Sequence, residues 1–428
     1  MGIEVVVLLG MLILLLVLRV PIAIALAGSA TVIIVWQGIP VVVVVQRLYA
    51  GTESWVLMAI PFFILAGAIM EAGGMSRRLV DFANALFGFM RGGLANVNIG
   101  ASMLFGGISG SAVADTSALG SVLIPAMERK GYPKVYAAAV TASSSPIGMI
   151  IPPSIPMIVW SFVSGESLGA LFLGGVIPGA LVTLTLMGVS TVICVRRGYQ
   201  ARGSPFDFRA LRATLLDGII TLGAPFIIIG GIVFGIFTPT EAAVIAVAYS
   251  LLVTTLVYRE FSLRSLPRVL VKAGKMSATV MFVVAGATVF SWILALNQVP
   301  QTLGRLILGF ADSPGMFIFI GSILLFILGM FLDTTTTILL VGPVLAPLAR
   351  VVGVDPILTA LIFLVVLATG LVTPPLGLCL FVGSSLTGTS IERIAREVIP
   401  FVLAMLAVAL VLWFVPQTVT WLPSRLAP

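Results

Sequence analysis

The chain has 428 residues, a net charge of +7 and no histidine, and 60% of its residues are hydrophobic while only 9% are charged. A soluble domain usually carries about 25% charged residues, so this composition excludes an ordinary soluble enzyme or binding module. On so apolar a chain the basic excess is a signal of membrane topology, not of nucleic-acid binding. The absence of histidine weakens the case for a zinc or copper site. Cys194 and Cys379 lie far apart in sequence, which indicates free thiols.

Apolar runs long enough to approach or cross a hydrocarbon core of about 30 Å recur along the whole chain. They predict one polytopic membrane domain of the all-α class, because helices satisfy their own backbone in lipid. Two loops, 196–212 and 259–275, carry 10 of the 23 basic residues, and the positive-inside rule places both in the cytoplasm. This orientation puts both chain ends outside. The predicted full spans are roughly 3–18, 20–37, 54–73, 135–165, 169–195, 215–236, 241–258, 278–297, 357–382 and 399–420.

Two further apolar regions are each interrupted by a polar segment in the middle. The first, about 94–127, is broken by GGISGSAVADT, and the second, about 314–350, is broken by GMFLDTTTT. Each arm of about 15–17 residues would be roughly 22–26 Å long, which is short for a full span. We therefore predict two re-entrant helical hairpins with polar tips near the middle of the membrane.

Two stretches of the chain align with each other at a constant offset of 222 residues, without a gap over about 50 positions. The matched residues are mostly glycine and proline: Gly107/Gly329, Gly120/Gly342, Pro125/Pro347, Gly131/Gly353, Gly148/Gly370 and Pro152-Pro153/Pro374-Pro375. Five predicted spans separate the hairpins, and an odd number makes them open to opposite faces. This inverted-topology repeat is typical of secondary transporters, whose sites lie where broken helices meet. We assign repeat 1 to 54–165, repeat 2 to 278–382, and the remaining spans mainly to a scaffold.

A broken helix follows each hairpin, at about 135–165 and 357–382. Adjacent prolines and nearby glycines at its centre free backbone carbonyls from helical hydrogen bonds. Free carbonyls and hydroxyls are hard oxygen ligands that suit Na⁺. The first predicted Na⁺ site joins the first tip to the first break, with Ser109, Ser111, Ser145, Gly148, Ile151 and Pro153. The second joins the second tip to the second break, with Asp333, Thr334, Thr335, Thr369, Gly370, Thr373 and Pro375.

Asp333 is the sharpest single candidate, because a carboxylate at the centre of a bilayer costs about 2.5–3.5 kcal/mol unless it faces a cavity or a partner. It would ligate Na⁺ or take up a proton, whereas Asp115 stays outside the predicted site. Any one hydroxyl has a plain alternative, a bond to its own helix four residues back. With no basic residue predicted near the midplane, helix N-termini and hydroxyls would hold an anionic substrate. The substrate candidates are Ser109, Ser111, Ser143, Ser144 and Asn297, although Asn297 would equally cap its span.

The stretches that carry these predictions resemble one known family. RGGLANVNIGASMLFGGISGSAVADTSALGSVLIPAM, IGMIIPPSIPM, GMFLDTTTTILLVGPVLAPLA and TGLVTPPLGLCLFV are together similar to the large membrane subunit of the tripartite ATP-independent periplasmic (TRAP) transporters. The resemblance runs along nearly the whole chain. It implies a multi-pass protein of the bacterial inner membrane and an elevator-type mechanism, in which hairpins and broken helices form a transport domain that slides against a scaffold domain.

The same resemblance implies Na⁺ coupling without an organic cofactor, a small four-helix membrane subunit, and a separate periplasmic protein that delivers the substrate. Family substrates are mostly organic acids such as C4-dicarboxylates and sialic acids, and the sequence does not name one of them. Three other classes stay open: a self-contained Na⁺/carboxylate symporter, a channel, and an intramembrane Ser/Asp hydrolase. The absence of histidine, of an H-E-x-x-H helix and of a G-x-x-x-x-G-K-[ST] loop argues against an enzyme and against ATP hydrolysis.

Overall fold

The computed structural model describes residues 3–199, 206–299, 302 and 313–426, and every regular element in these ranges is helical. The all-α prediction is therefore confirmed. Short turns of other helical types occupy Ser145–Met149, Val253–Val257 and Leu263–Ser265. The α-helices, numbered in chain order, are α1 Ile3–Val17, α2 Ile22–Trp36, α3 Val42–Thr52, α4 Trp55–Ala72, α5 Met75–Phe87, α6 Gly93–Ser109, α7 Ala112–Arg129, α8 Lys134–Ser144, α9 Ile155–Ser164, α10 Leu168–Arg197, α11 Phe208–Val233, α12 Pro239–Leu252, α13 Leu266–Leu296, α14 Pro314–Phe331, α15 Thr334–Val352, α16 Pro356–Gly370, α17 Leu378–Thr387, α18 Ile391–Phe414 and α19 Gln417–Leu426.

The two repeats keep the predicted offset of 222 residues in their helix bounds. Helices α7 and α15 begin at Ala112 and Thr334, and helices α8 and α16 begin at Lys134 and Pro356. Helices α6 and α7 form hairpin 1, and helices α14 and α15 form hairpin 2. Both predicted broken helices are also present: α8 and α9 make the first, and α16 and α17 make the second, which runs to Thr387 and not to 382.

The predicted spans need correction in number and in length. Eight helices of the described ranges are apolar and long enough to cross a membrane, whereas the sequence predicts ten full spans. Helices α1 and α2 have only 15 residues each, and the broken helices are pairs of short segments. Both arms of hairpin 2, with 18 and 19 residues, are among these eight helices. Length alone therefore does not distinguish a hairpin arm from a span, and the meeting of the tips makes that distinction.

Helix α13 begins at Leu266, twelve residues before the predicted start at 278. Its added turns bury Val269 and Ala273, while Lys272 and Lys275 are exposed. An amphipathic stretch of this kind lowers the mean hydropathy, so a search for apolar runs misses it. The last predicted span, 399–420, is likewise two elements, because α18 ends at Phe414 and α19 follows as a separate helix.

The second arm of each hairpin packs on the broken helix of the other repeat: α15 lies against α9, and α17 lies against α7. Small residues permit both contacts, with Gly342 beside Val163 and Gly120 beside Leu386. On the predicted outer side, the Arg350 guanidinium forms an ion pair with Glu166 and donates to the Ser164 carbonyl at 3.0 Å. Helices α12 and α13 both pack on α4. Helices α4 and α13 form a wall beside the two hairpins, since α4 contacts α6 and α13 contacts α15.

Within each repeat, the first arm of the hairpin crosses the broken helix at paired glycines. A Cβ at Gly106 would lie 2.1 Å from the Cα of Gly148, and a Cβ at Gly370 would lie 2.8 Å from the Cα of Gly329. Only a hydrogen atom fits between the backbones at these crossings. Each hairpin therefore lies directly against the broken helix of its own repeat.

A methyl group at the first crossing should destabilise the fold. We expect Gly106→Ala to lower the free energy of unfolding by about 1–3 kcal/mol, because the obstacle is backbone that must shift as a whole. The measurement is the thermal midpoint of the purified protein in detergent. Gly188→Ala is the matched control, since Gly188 lies within α10 with no neighbour within 4 Å, and it should leave the midpoint equal or higher. Equal midpoints for Gly106→Ala and wild type would contradict the close crossing.

Candidate functional site

A cavity of about 280 Å³ lies between the two hairpin tips. Hairpin 1 lines it with Gly110, Ser111, Ala112 and Val113, and hairpin 2 lines it with Asp333, Thr334 and Thr335. Helices α4 and α13 close the side opposite the hairpins. The structure thus brings four of the predicted polar tip residues, one from repeat 1 and three from repeat 2, to a single space.

Four helices of the described ranges begin at this cavity. The lining residues Ala112, Ile155, Thr334 and Leu378 are the first residues of α7, α9, α15 and α17. The first turn of each helix has backbone N–H groups without intrahelical partners and a partial positive charge. Among the described lining residues, Asp333 is the only charged one. Backbone dipoles therefore supply the positive potential that an anion needs here.

The same cavity also receives the ends of helical segments. Met149 is the last residue of the turn that follows α8, and Leu371 directly follows α16. The last carbonyl groups of such a segment carry partial negative charge. At these two ends the Met149 carbonyl accepts from the Ser154 hydroxyl, and the Leu371 carbonyl accepts from the Cys379 amide. Each broken helix therefore presents one carbonyl end and one amide end to the same space, which suits a cation beside an anion.

The tip of hairpin 1 touches the first break along its length. Cβ positions built at Gly107 and Gly110 would lie 3.1 Å from the Pro152 carbonyl oxygen and 3.4 Å from that of Pro153. Ser154 bridges the break, because its hydroxyl donates to the Met149 carbonyl at 2.5 Å and accepts from the Met157 amide at 3.4 Å. The tip of hairpin 1 and the first break are thus in backbone contact, and the predicted Na⁺ site between them stays a prediction.

Asp115 is the residue that the sequence analysis left outside the site. It is fully buried in the first turn of α7, and the Ser109 hydroxyl donates to its Oδ1. Its Oδ2 has no hydrogen-bond partner among the described residues and lies 2.6 Å from a Cβ built at Gly148. The sequence signal is its place one helical turn after Ser111, which keeps both side chains at the N-terminus of α7.

The serines of α8 and the turn that follows it lie apart from the cavity. Ser145 donates to the Thr141 carbonyl at 2.7 Å, and Ser144 shares a 2.8 Å hydrogen bond with Ser102 of α6. Ser143 is buried, and its hydroxyl has no hydrogen-bond partner in the described part of the chain. The Ile151 side chain packs against Gly179 of α10. Their predicted roles in binding Na⁺ or substrate stay predictions.

In the second predicted cluster, Asp333 caps α15 by accepting from the Thr336 amide at 3.1 Å and from the Thr336 hydroxyl. Thr369 and Thr373 donate to carbonyls four residues back in their own segment, at 2.8 Å each. A hydroxyl that donates in this way keeps lone pairs for a cation. Gly370 lies at the glycine crossing with hairpin 2, and Pro375 is exposed.

One contact joins the two halves of the site. The Thr334 hydroxyl of hairpin 2 lies 3.2 Å from the Met149 sulfur of the first break. Asn297 lies elsewhere: its side chain bonds Gln37 at 2.8 Å and the Ile293 carbonyl of its own helix at 3.0 Å, and it does not line the cavity. Its predicted contact with substrate stays a prediction.

Two interlocked inverted repeats, with re-entrant tips and helix breaks that meet at one cavity, define a multi-pass membrane transport protein. Residues 9–418 match the family described as the tripartite ATP-independent periplasmic transporter, DctM component, and the chain belongs to this family. The family predicted from the tip and break motifs is therefore confirmed. The protein is a transporter permease of the inner membrane and not an enzyme.

Individual relatives agree with this assignment. The chain is 39% identical over 382 residues to the C4-dicarboxylate TRAP transporter large permease protein DctM of Pseudomonas aeruginosa, with 89% of each chain covered. It is 39% identical over 411 residues to the isethionate TRAP transporter permease protein DctMQ of Oleidesulfovibrio alaskensis, and it spans 65% of that protein's length. The YdaH transporter of Alcanivorax borkumensis has a similar fold, with a TM-score of 0.63 at 15% identity over 90% of this chain and 89% of that one.

Removal of the Ser154 bridge should destabilise the first break. We expect Ser154→Ala to lower the free energy of unfolding by about 1–3 kcal/mol, because it deletes the cap of α9 and leaves the Met149 carbonyl buried without a partner. Ser167→Ala is the matched control, since Ser167 caps the continuous helix α10 with a 3.3 Å bond and should cost about 1 kcal/mol or less. Thermal unfolding in detergent measures both, and equal losses would contradict a bridging role.

Proposed function

We propose that this chain is the substrate-translocating subunit of a Na⁺-coupled secondary transporter that imports small organic acids with the help of a periplasmic binding protein. The observation that carries the proposal is the meeting of four helix N-termini and two segment ends at one cavity between the hairpin tips. Broken helices of this kind bind anionic groups at their amide ends and small cations at their carbonyl ends.

The proposed substrate class is supported by the size of the cavity and by the helix N-termini that line it. The volume of about 280 Å³ is just below the range for small-molecule pockets, which is about 300–1,000 Å³, so the cavity suits a small cargo. Helix N-termini favour negative charge without a basic side chain. The two relatives named above are called permeases for C4-dicarboxylate and isethionate, both of which are organic anions. A small carboxylate is the cargo that fits these features.

Sodium is the proposed co-transported ion, because the donor set around each break consists of oxygen atoms. Near the first break these are the Pro152 and Pro153 carbonyls, the Ser109 hydroxyl and the unpartnered Oδ2 of Asp115. Near the second break they are the Asp333 carboxylate and the hydroxyls of Thr334 and Thr335 beside the cavity. Hard oxygen donors of mixed charge suit an alkali cation.

The elevator mechanism and the partners belong to the same proposal. The cavity lies between the hairpin tips and the wall of α4 and α13, which is the boundary along which a transport domain would slide. The division of the chain into a scaffold domain and a transport domain is itself a prediction. The isethionate relative is about half as long again as this chain, which leaves room for a fused small membrane subunit. We expect this chain to act with a separate small subunit and a binding protein.

Reconstitution tests the whole proposal. We expect proteoliposomes with this chain and the small subunit to take up labelled succinate only with an inward Na⁺ gradient and the binding protein outside. A screen of sulfonates, sugar acids and sialic acid follows if succinate is not transported. Uptake by this chain alone would replace the proposal with a self-contained Na⁺/carboxylate symporter. Uptake that ignores the Na⁺ gradient would remove sodium coupling.

Asp333→Asn separates an ion role from a structural role. Asparagine is as good a helix cap as aspartate, so α15 should keep its stability. Loss of the charge should raise the Na⁺ concentration for half-maximal uptake roughly tenfold, which corresponds to about 1.4 kcal/mol. Asp355→Asn is the matched control, because Asp355 caps α16 at 2.8 Å and does not line the cavity. An unchanged Na⁺ dependence in Asp333→Asn would remove Asp333 from the ion site.

A further inference from the structure

A second cavity, of about 290 Å³, adjoins the cavity between the tips, and we call it the vestibule. Hairpin 1 lines it with Ser109, Ala114 and Ser117, and the wall helices α4 and α13 line the opposite side as far as Glu71 and Lys272. It shares a group of lining residues with the first cavity: Ile64, Ser111, Val113, Ile155 and Met276. The two cavities are therefore consecutive parts of one space.

On the α13 side, one continuous face of the helix lines both cavities. Thr279 lines the first cavity, Met276 lines both, and Lys272 lines the vestibule. These residues are spaced three and four apart, so they lie on one helix face, and Lys272 is roughly 10 Å along the helix from Thr279. The direction leads from the tip of hairpin 1 towards its arm ends and the basic start of α13, which is the predicted cytoplasmic side.

Lys272 and Glu71 form an ion pair at the far end of the vestibule. The Lys272 Nζ lies 2.9 Å from the Glu71 Oε2, and the two side chains are 57% and 42% exposed. Lys272 is the only cationic side chain among the described residues that line either cavity. A pair this exposed binds weakly and exchanges partners easily, because water screens both charges.

We propose that Lys272 is a transient binding site for the substrate's carboxylate on the cytoplasmic release path. This inference rests on the proposed function and adds a second station to it. An organic anion that leaves the helix N-termini between the tips follows the α13 face and meets the Lys272 ammonium. The new ion pair offsets part of the interaction with the amide ends that the anion has just lost.

Glu71 keeps this station weak. The Glu71 carboxylate already pairs with the Lys272 ammonium. A departing substrate therefore has to displace Glu71 before it binds Lys272. Without Glu71, an unpaired Lys272 would retain the anion at the inner mouth. With Glu71, the local net charge is zero until substrate arrives, and the anion passes on to the cytoplasm. The two residues therefore act in opposite directions on affinity at the inner face.

That opposition gives the test. Binding-protein-dependent uptake of labelled succinate is measured into proteoliposomes preloaded with unlabelled succinate, and the luminal concentration that halves the initial rate reports affinity at the inner face. If the reconstitution screen shows that another acid is transported, that acid is used throughout. Lys272→Gln should raise the half-inhibiting concentration about two- to fivefold, and Glu71→Gln should lower it by a similar factor. The external KM should stay unchanged in both.

Two further variants separate binding from structure. Lys275→Gln removes the same charge less than one turn further along α13, outside both cavities, and should leave the luminal value unchanged. Lys272→Arg keeps the charge and should behave like wild type. Shifts of Lys272→Gln and Glu71→Gln in the same direction, or no shift in either, would overturn the inference. Wild-type uptake in the same assay keeps the proposed function intact in that event, whereas absence of wild-type uptake removes both.

Discussion

Backbone groups that lose their helical partners inside a hydrocarbon core have no water to bond, so they must be buried against protein or line a cavity. Both helix breaks of this transporter meet that requirement in the same way. Each hairpin lies against its break at a pair of glycines, and polar contacts such as Ser154 to the Met149 carbonyl close the remaining gaps. The glycines, the broken helices and the position of the tips are consequences of this one constraint.

The cavity inherits its polarity from the same geometry. Breaks and tips that face one another bring four helix starts and two segment ends together, so the backbone supplies partial charges of both signs and the proposed anion and cation sites would need few charged side chains. Asp115 and Asp333 then differ in role. The first is fully buried with one oxygen unpartnered, while the second is partly exposed and caps α15. The two repeats share a backbone plan but not an electrostatic one.

The charged and partly charged groups that line the space between the hairpins and the wall change along its length. Amide ends surround the cavity at the tips, and the Lys272–Glu71 pair ends the vestibule roughly 10 Å away along α13. The proposed tight site followed by the proposed weak one would suit transport, because a substrate must be bound firmly enough to enter and loosely enough to leave. The wall also joins regions far apart in sequence, since Glu71 and Lys272 are separated by 201 positions.

The sequence by itself determined the all-α class, the two hairpins, both breaks and the repeat offset of 222 residues, because hydropathy and the register of glycine and proline are local properties. It did not determine the start of α13, where an amphipathic turn hides the helix from a hydropathy search. Only the tertiary structure decided that Ser111 and Thr334 share a cavity while Ser143 does not, and that Asp115 has an unpartnered oxygen. Those facts depend on contacts between helices far apart along the chain, and a one-dimensional pattern does not record which faces of two helices meet.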